Sequence, residues 1–497
     1  MTAIITEKFR LHNAEQFFES FSETAKSTYY LFIGKSLPYT TGTTGGNDSS
    51  PPTPADSISG EYYNWDAMLA AKNIASTDVS YALPRVDFAN GTVYDMYDDT
   101  ISSSNTTTSG ASSLYAGKFY FITSTNNVYK VLDNNGGVAY SGSEPTNTGT
   151  SPFASGGYIL KYMYNVTASE ATKFLTTDYM PASTDTTVSA AAVDGKIESL
   201  VVTAGSGYTN GTYYAPIFGD GTSQGTSSGA IVRITVAGGS IAGFGLTAGT
   251  DTTIQAGGAA YTFGNVSLSS VFSDAALSSS TSIGSGTSGA IRAIISPKEG
   301  HGNNAEKELG GHFVMTNTTL AQAEGDDLTV ANDFRQVGIV VDPFTFGTTT
   351  IASASTARMS KVIKMSSSSG TFDVDEQISQ ASTGAVGRVI EWDSSRSLLY
   401  YCQERFSTYG TAATTQSFTA FSGANTVTGA TSSATGTPSN TASETVTLAG
   451  GNTIAFTSGY ANPELQSDSG NIIYIENRKP IQRVSDQTED IKIIIEF

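Results

Sequence analysis

The sequence predicts a mainly β protein: a layered β-sandwich core with two or three helices in its loops, plus inserted small β modules. Three observations predict it. Only 14% of residues are charged, against about 25% in an ordinary soluble domain. Glycine supplies 51 of the 497 residues while proline is held to 14, so turns are frequent and strands are seldom broken. Ser and Thr crowd many stretches beside 25 Tyr and 24 Phe, which suits strands with polar, uncharged outer faces. With 38% hydrophobic residues the chain can offset its folding entropy.

Taken in order, Ala3 to Thr6 reads as a short strand. Ala14, Phe17, Phe18, Phe21 and Ala25 follow at the spacing of an amphipathic helix. Thr28 to Ile33 is a strand ended by Gly34, and Thr40 to Pro54 a polar loop. Tyr62 to Ile74 predicts a second helix, with Tyr62, Trp65 and Leu69 on one side. Lys118 to Ile122 and Val128 to Leu132, parted by Thr123 to Asn127, predict a hairpin. Tyr158 to Val166 is a strand, and Ser169 to Leu175 a short helix.

From Ser183 the aromatic content thins. Gly225-Thr-Ser-Ser-Gly-Ala-Ile231 and Gly286-Thr-Ser-Gly-Ala-Ile291 echo each other, each preceded by a Tyr-Thr pair, Tyr208-Thr209 and Tyr261-Thr262. Thr383-Gly-Ala-Val-Gly-Arg-Val-Ile390 has the same shape. In each, a turn of small residues releases a β-branched run. The expected organisation is therefore residues 1–182 as the N-terminal part of the β-sandwich core and 183–296 as an inserted β module with partial internal duplication. Residues 297–347 continue the core, 348–466 form a second, Ser/Thr/Gly-rich insertion, and 467–497 supply C-terminal core strands. Within the second insertion, Lys361 to Tyr401 carries strands and Thr411 to Thr447 reads as a long mobile loop. Asn471 to Ile475 is a strand. Asp490 to Phe497 alternates, with Ile491, Ile493, Ile495 and Phe497 on one side, so this end is expected in a sheet.

Charge excludes several functions. With 26 basic against 45 acidic residues, net −19, the chain has no general positive field for a phosphate backbone, and nucleic-acid binding is not expected. No apolar run reaches the roughly 18 residues of a membrane span. Glu7, Lys8 and Arg10 stand where a signal peptide needs apolar residues. A lone Cys402 and three His give neither an intrachain disulfide nor a soft-ligand zinc site, and folding in a reducing cytosol is expected.

Candidate chemistry is sparse. Gly225-Thr-Ser-Ser-Gly229 matches G-x-S-x-G, but a strand-like run follows where the nucleophile elbow needs a helix. Gly284 to Gly289 matches G-x-G-x-x-G and fails the same test. Both read as turns. The densest charged stretch, Lys298 to His312, would pair His301 or His312 with Glu306 or Glu308 in a functional reading. In the plainer one it is a Gly-flanked exposed loop with a short helix at Ala305 to Leu309. Asp373-Val-Asp-Glu376 lacks the Gly and distal Glu of a calcium loop and reads as a solvated turn. No catalytic, cofactor-binding or metal residues are assigned. Arg478, Lys479 and Arg483 place positive charge near the end of an acidic chain, and Arg and Tyr are favoured at interfaces.

Four fragments then carry a resemblance: Ala3-Ile-Ile-Thr-Glu-Lys-Phe-Arg10, Tyr30-Leu-Phe-Ile-Gly-Lys-Ser-Leu-Pro38, Asp333-Phe-Arg-Gln-Val-Gly-Ile339 with Asp342-Pro343, and the most specific, Ile473-Tyr-Ile-Glu-Asn-Arg-Lys-Pro-Ile481 followed by Asp486-Gln-Thr-Glu-Asp-Ile491. They resemble the baseplate wedge subunit, gene product eight, of T-even-like contractile-tailed phages. The resemblance covers roughly 1–180, 300–347 and 468–497, and the family's shorter members lack much of the two expected insertions. They also have two prolines where this chain has Lys479-Pro480.

The resemblance implies a layered β-sandwich, a homodimer, contacts with other baseplate wedge proteins, no catalytic activity and no cofactor. It places the protein in the virion tail baseplate, after folding and assembly in the host bacterial cytoplasm. The alternative is a virion-associated glycan-binding or glycan-cleaving tail protein working through the inserted β modules.

Overall fold

The computed structural model describes residues 5–24, 26–39, 46–321, 332–405, 411–412, 417–484 and 487–497. Strand takes 40% of the chain and helix 10%, so the fold is mainly β. The chain divides into two compact units. One is Met1–Phe18, Ser80–Met315 and Ile494–Phe497; the other is Glu19–Val79 and Thr316–Ile493.

In the first unit the opening helix is Glu7–Glu19, begun by Thr6, whose hydroxyl and carbonyl both accept from the Phe9 amide. The expected strand is absent at Ile5 and Thr6, while Ala3 and Ile4 lie outside the described residues. The helix also stops before Phe21, and Ala25 lies outside the described residues. Phe21 instead stacks on Tyr29, ring centroids 4.0 Å apart, inside the second unit.

The expected hairpin forms, Tyr120–Ile122 against Asn127–Asp133. Tyr158–Asn165 and Phe153–Ser155 complete a four-stranded sheet. Buried Tyr94, Phe121, Tyr129, Tyr140 and Tyr158 pack together there. The helix Ala168–Phe174 carries a capping box: the Thr167 hydroxyl accepts from the Glu170 amide, and the Glu170 carboxylate accepts from the Thr167 amide.

Residues 197–295 form a nine-stranded sheet. Its main path runs Ser240–Ile241, Ile231–Ala237, Gly211–Gly219, Gly264–Val266, Ala290–Ile295, Ile197–Thr203. Both echoed Gly turns release strands as read, and the echo has a physical basis. The Tyr261 hydroxyl accepts from the Ala230 amide at 3.0 Å and donates to the Ile217 carbonyl at 3.2 Å. The Tyr208 hydroxyl accepts from the Gly289 amide at 2.9 Å. Each tyrosine thus braces the turn of the other repeat. Gly286 and Gly289 must lack a Cβ because the Tyr208 ring fills that space.

The second unit holds a five-stranded sheet in the order Thr356–Arg358, Met68–Asn73, Tyr29–Gly34, Phe334–Val341, Asn471–Ile481. Here the predicted helix at Tyr62 to Ile74 is corrected. The helix is Ile58–Ala67, capped by the Ser57 hydroxyl on the Gly60 amide at 3.1 Å. The chain then turns into a strand because Met68–Asn73 pairs on both sides, with Tyr30–Gly34 and with Thr356–Arg358. Two ladders of backbone hydrogen bonds outweigh a helical side-chain spacing.

Seven strands form a second sheet in the order Leu398–Cys402, Ala385–Asp393, Gln377–Gln380, Val427–Gly429, Thr435–Pro438, Lys361–Ser369, Tyr460–Ala461. An additional pairing of Leu398–Cys402 with Lys361–Ser369 closes six of these strands into a small barrel around Ile363, Met365, Ile378, Val389, Leu399, Tyr401 and Val427. The mobile loop expected over Thr411 to Thr447 is therefore corrected: Val427–Gly429, Thr435–Pro438 and Glu444–Thr447 are strands. Residues 413–416 of that stretch lie outside the described residues. In the first two of those strands, low β propensity is overridden by closure, and Gly436 makes room for the Met365 thioether, whereas Glu444–Thr447 pairs with Thr453–Phe456.

The crossed bracing gives a test. Tyr261→Ala should destabilise the sheet of residues 197–295 by about 3–5 kcal/mol, and Tyr261→Phe by about 1 kcal/mol through the orphaned Ala230 amide. Hydrogen exchange should report the loss at Ile231–Ala237 as well as at Gly264–Val266.

Candidate functional site

The chemistry of residues 298–312 begins with one lysine. Lys130 lies in Asn127–Asp133 between Tyr129 and Val131 and is fully buried. A buried ammonium needs a counter-charge. Glu308, on the four-residue helix Ala305–Glu308, supplies it, with Oε1 2.5 Å from the ammonium. The other oxygen, Oε2, accepts from the Gly302 amide at 2.6 Å. His301 Nδ1 lies 2.9 Å from both Lys130 Nζ and Glu308 Oε1. It can accept from the first or donate to the second, but not both. The Tyr97 ring closes the cluster, its centroid 3.5 Å from the ammonium.

The exposed loop read from the sequence is thus corrected, because His301, Glu308 and His312 are buried. The pairing of His301 with Glu308 is present, and the short helix is where it was expected. His312 goes elsewhere, its ring centroid 4.4 Å from that of Phe313.

Burial sets the protonation of this group. It pulls the Lys130 ammonium down to about 8 against the upward pull of Glu308. Burial, with the Lys130 charge, pulls His301 down to about 4. Burial would raise Glu308, but Lys130 and His301 overcome it and hold the carboxyl at about 2. The result is an ammonium–carboxylate pair with a neutral imidazole. Side-chain exposures of 0, 3 and 1% leave no approach for a substrate, so the arrangement ties backbone segments together. Beside it, Glu198 holds Lys161 at 3.4 Å and Lys196 at 2.8 Å.

In the second unit three of the four fragments that carry the resemblance meet. Tyr29–Gly34, Phe334–Val341 and Asn471–Ile481 are adjacent strands. Arg335 grips Asp48 through two hydrogen bonds of 3.0 Å each, and also reaches Asp333 and the Ser36 carbonyl. The Tyr39 hydroxyl lies against the carbonyls of Arg335 and Arg478. Arg388, buried, reaches Asp375 and the Ser36 hydroxyl, with its Nη2 3.7 Å from Cys402 Sγ. Burial pushes the Cys402 thiol up, which makes it unreactive.

The remaining motifs are structural. The Gly225 and Gly284 turns lead into strands, Ile231–Ala237 and Ala290–Ile295. The turn expected at Asp373 to Glu376 is present, with Asp373, Val374 and Asp375 exposed as read, but Glu376 is buried and accepts from the amides of Asp373, Thr431 and Ser432. It staples a turn of the barrel. Arg478 and Lys479 are exposed, whereas Arg483 is buried with Glu489 at 3.1 Å. Among the described residues no three His, Cys, Asp or Glu side chains gather to hold a metal, and no helix is long and apolar enough to cross a membrane. Sequence reading missed Lys130, Arg335 and Arg388. The signal was available for the first and last, since a lone charge inside a short apolar strand demands a buried partner.

The family model described as Bacteriophage T4, Gp8 matches residues 3–135 and 437–497. The match thus takes in an N-terminal and a C-terminal segment, with residues 136–436 between them. The C-terminal match begins upstream of the fragments that carry the resemblance, taking in the hairpin Glu444–Thr447 with Thr453–Phe456. The family is one of structural baseplate proteins. No curated protein matches the chain.

Two outcomes are expected of the buried cluster. His301 ionises below its ordinary 6.5 and Glu308 below its ordinary 4.5. Stability present above these values is therefore lost as pH falls, first between 6.5 and 4 and then toward 2. Thermal melting followed from pH 7 to 4 should show the first loss, and His301→Gln should flatten it. Lys130→Met should cost about 3–5 kcal/mol at pH 7 by stranding Glu308, and Lys130→Met with Glu308→Gln should recover part of it in urea unfolding.

Proposed function

We propose, with the Gp8 family as premise, that this chain is a structural component of a phage baseplate wedge. It acts as a homodimeric scaffold that contacts neighbouring wedge proteins during baseplate assembly and host attachment. It carries out no reaction and takes no cofactor. It folds in the host cytoplasm and ends in the tail baseplate of the virion. The observation that carries this reading is the family match at both ends of the chain, together with the sheet that uses those ends. There, Tyr29–Gly34 and Asn471–Ile481 flank Phe334–Val341.

The chemistry is consistent with that role. The described buried ion pairs tie backbone segments. A low charge fraction suits surfaces that pack without heavy desolvation cost. A twofold pair on a sixfold hub presents the same patch in two surroundings, so part of its surface would be used by one copy only.

The glycan-binding or glycan-cleaving reading has one observation on its side: Phe218, on the strand Gly211–Gly219, and Phe263, just before Gly264–Val266, are 42% and 54% exposed. Bacterial surface polysaccharide separates the two readings. A scaffold neither shortens it nor is retained by it on a column, and it joins recombinant wedge proteins. Sedimentation at micromolar concentration should give a particle of about twice 51.8 kDa. A monomer at that concentration would exclude the homodimer.

A further inference from the structure

The strand Asn471–Ile481 is at the edge of its sheet. It pairs on one side with Phe334–Val341, and among the described residues no strand covers the other side. None of its 11 residues is buried, whereas seven of the eight in Phe334–Val341 are. A long uncovered edge is a template for another strand.

The two halves of this strand differ. Beside the first half lies a cavity of 630 Å³, lined by Ile472–Ile475 on the strand and by Pro54, Asp56, Ile58 and Glu61 across from it. Ile58 is 77% exposed and Ile473 46%. The charged side chains that line the cavity, Asp56 and Glu61, are acidic and exposed. The second half is basic, with Arg478 and Lys479 exposed and Ile481 beyond them. Arg478 is held only loosely, its Nε 3.5 Å from Glu476 with both side chains near half exposure.

We propose that a second copy of this chain occupies this edge, pairing Asn471–Ile481 with itself in antiparallel sense about a twofold axis near Asn477. Antiparallel pairing of a strand with its own copy lays the end of one against the beginning of the other. Arg478 and Lys479 of each copy then face the acidic wall of the other copy's cavity, and Ile481 reaches its Ile58 and Ile473. The same complementarity is made twice. A parallel arrangement would set basic end against basic end. The inference rests on the homodimer reading and adds the surface through which the dimer forms.

Two variants of the full chain test it, R478E/K479E and D56K/E61K, each confirmed as folded by its melting curve. Each alone sets like charges together at both contacts and should weaken dimerisation on the order of 100-fold. Mixed in equal amounts, they restore opposite charges at both contacts, and sedimentation should show a mixed dimer. If the unaltered chain dimerises and both variants do so equally well, the dimer uses another surface and this inference fails alone. If the variants are monomeric and their mixture stays monomeric, the charge pairing is wrong and the inference fails as well. If the unaltered chain is itself monomeric, the homodimer reading falls with it.

Discussion

The Glu19–Val79 and Thr316–Ile493 unit depends on holding Phe334–Val341 between two strands that are far away in sequence. Its register against Tyr29–Gly34 runs from Tyr29 opposite Val341 to Gly34 opposite Gln336, and loop closure over such separations costs entropy before any contact repays it. Arg335 is the fastener. One planar guanidinium meets the Asp48 carboxylate bidentately and reaches the Ser36 carbonyl, so the strand cannot slip without breaking charge-assisted bonds. At the other end Asp342 accepts from the Thr28 amide at 2.7 Å, which pins the same register.

Charge inside this protein is consistently spent on backbone placement. Lys130 and Glu308 fold a charged segment inward in one unit; Arg388 and Glu376 steady the barrel in the other. A buried pair is weak evidence of net stability, yet losing one partner is strongly unfavourable. Such pairs punish misplacement more than they reward correct placement.

Much of the fold was legible. The hairpin at Tyr120–Ile122 and Asn127–Asp133, the helix Ala168–Phe174 and the alternating C-terminal strand follow from periodicity, with Ile491 and Ile493 buried as the alternation requires. The failures share a cause. Met68–Asn73 has a helical spacing but becomes a strand because partners distant in sequence claim both its edges. Thr435–Pro438 has almost no apolar content, and a ring of strands needs it for closure. His301 and Glu308 look like solvent-facing residues until Lys130, more than a hundred residues earlier, is brought beside them. Local pattern speaks for local structure; the buried ion pairs are written in two places at once.

The strands Ile197–Thr203 and Ala290–Ile295 lie side by side, with Ile197 opposite Ile295. The chain therefore enters and leaves this sheet at neighbouring points. Everything in between could lengthen, shorten or be exchanged during descent without altering the spacing of the residues that flank it. The tyrosine crossing makes the exchange all or nothing, since half of the pair would leave the other half's turn unsupported. Evolution can treat such a segment as a cartridge.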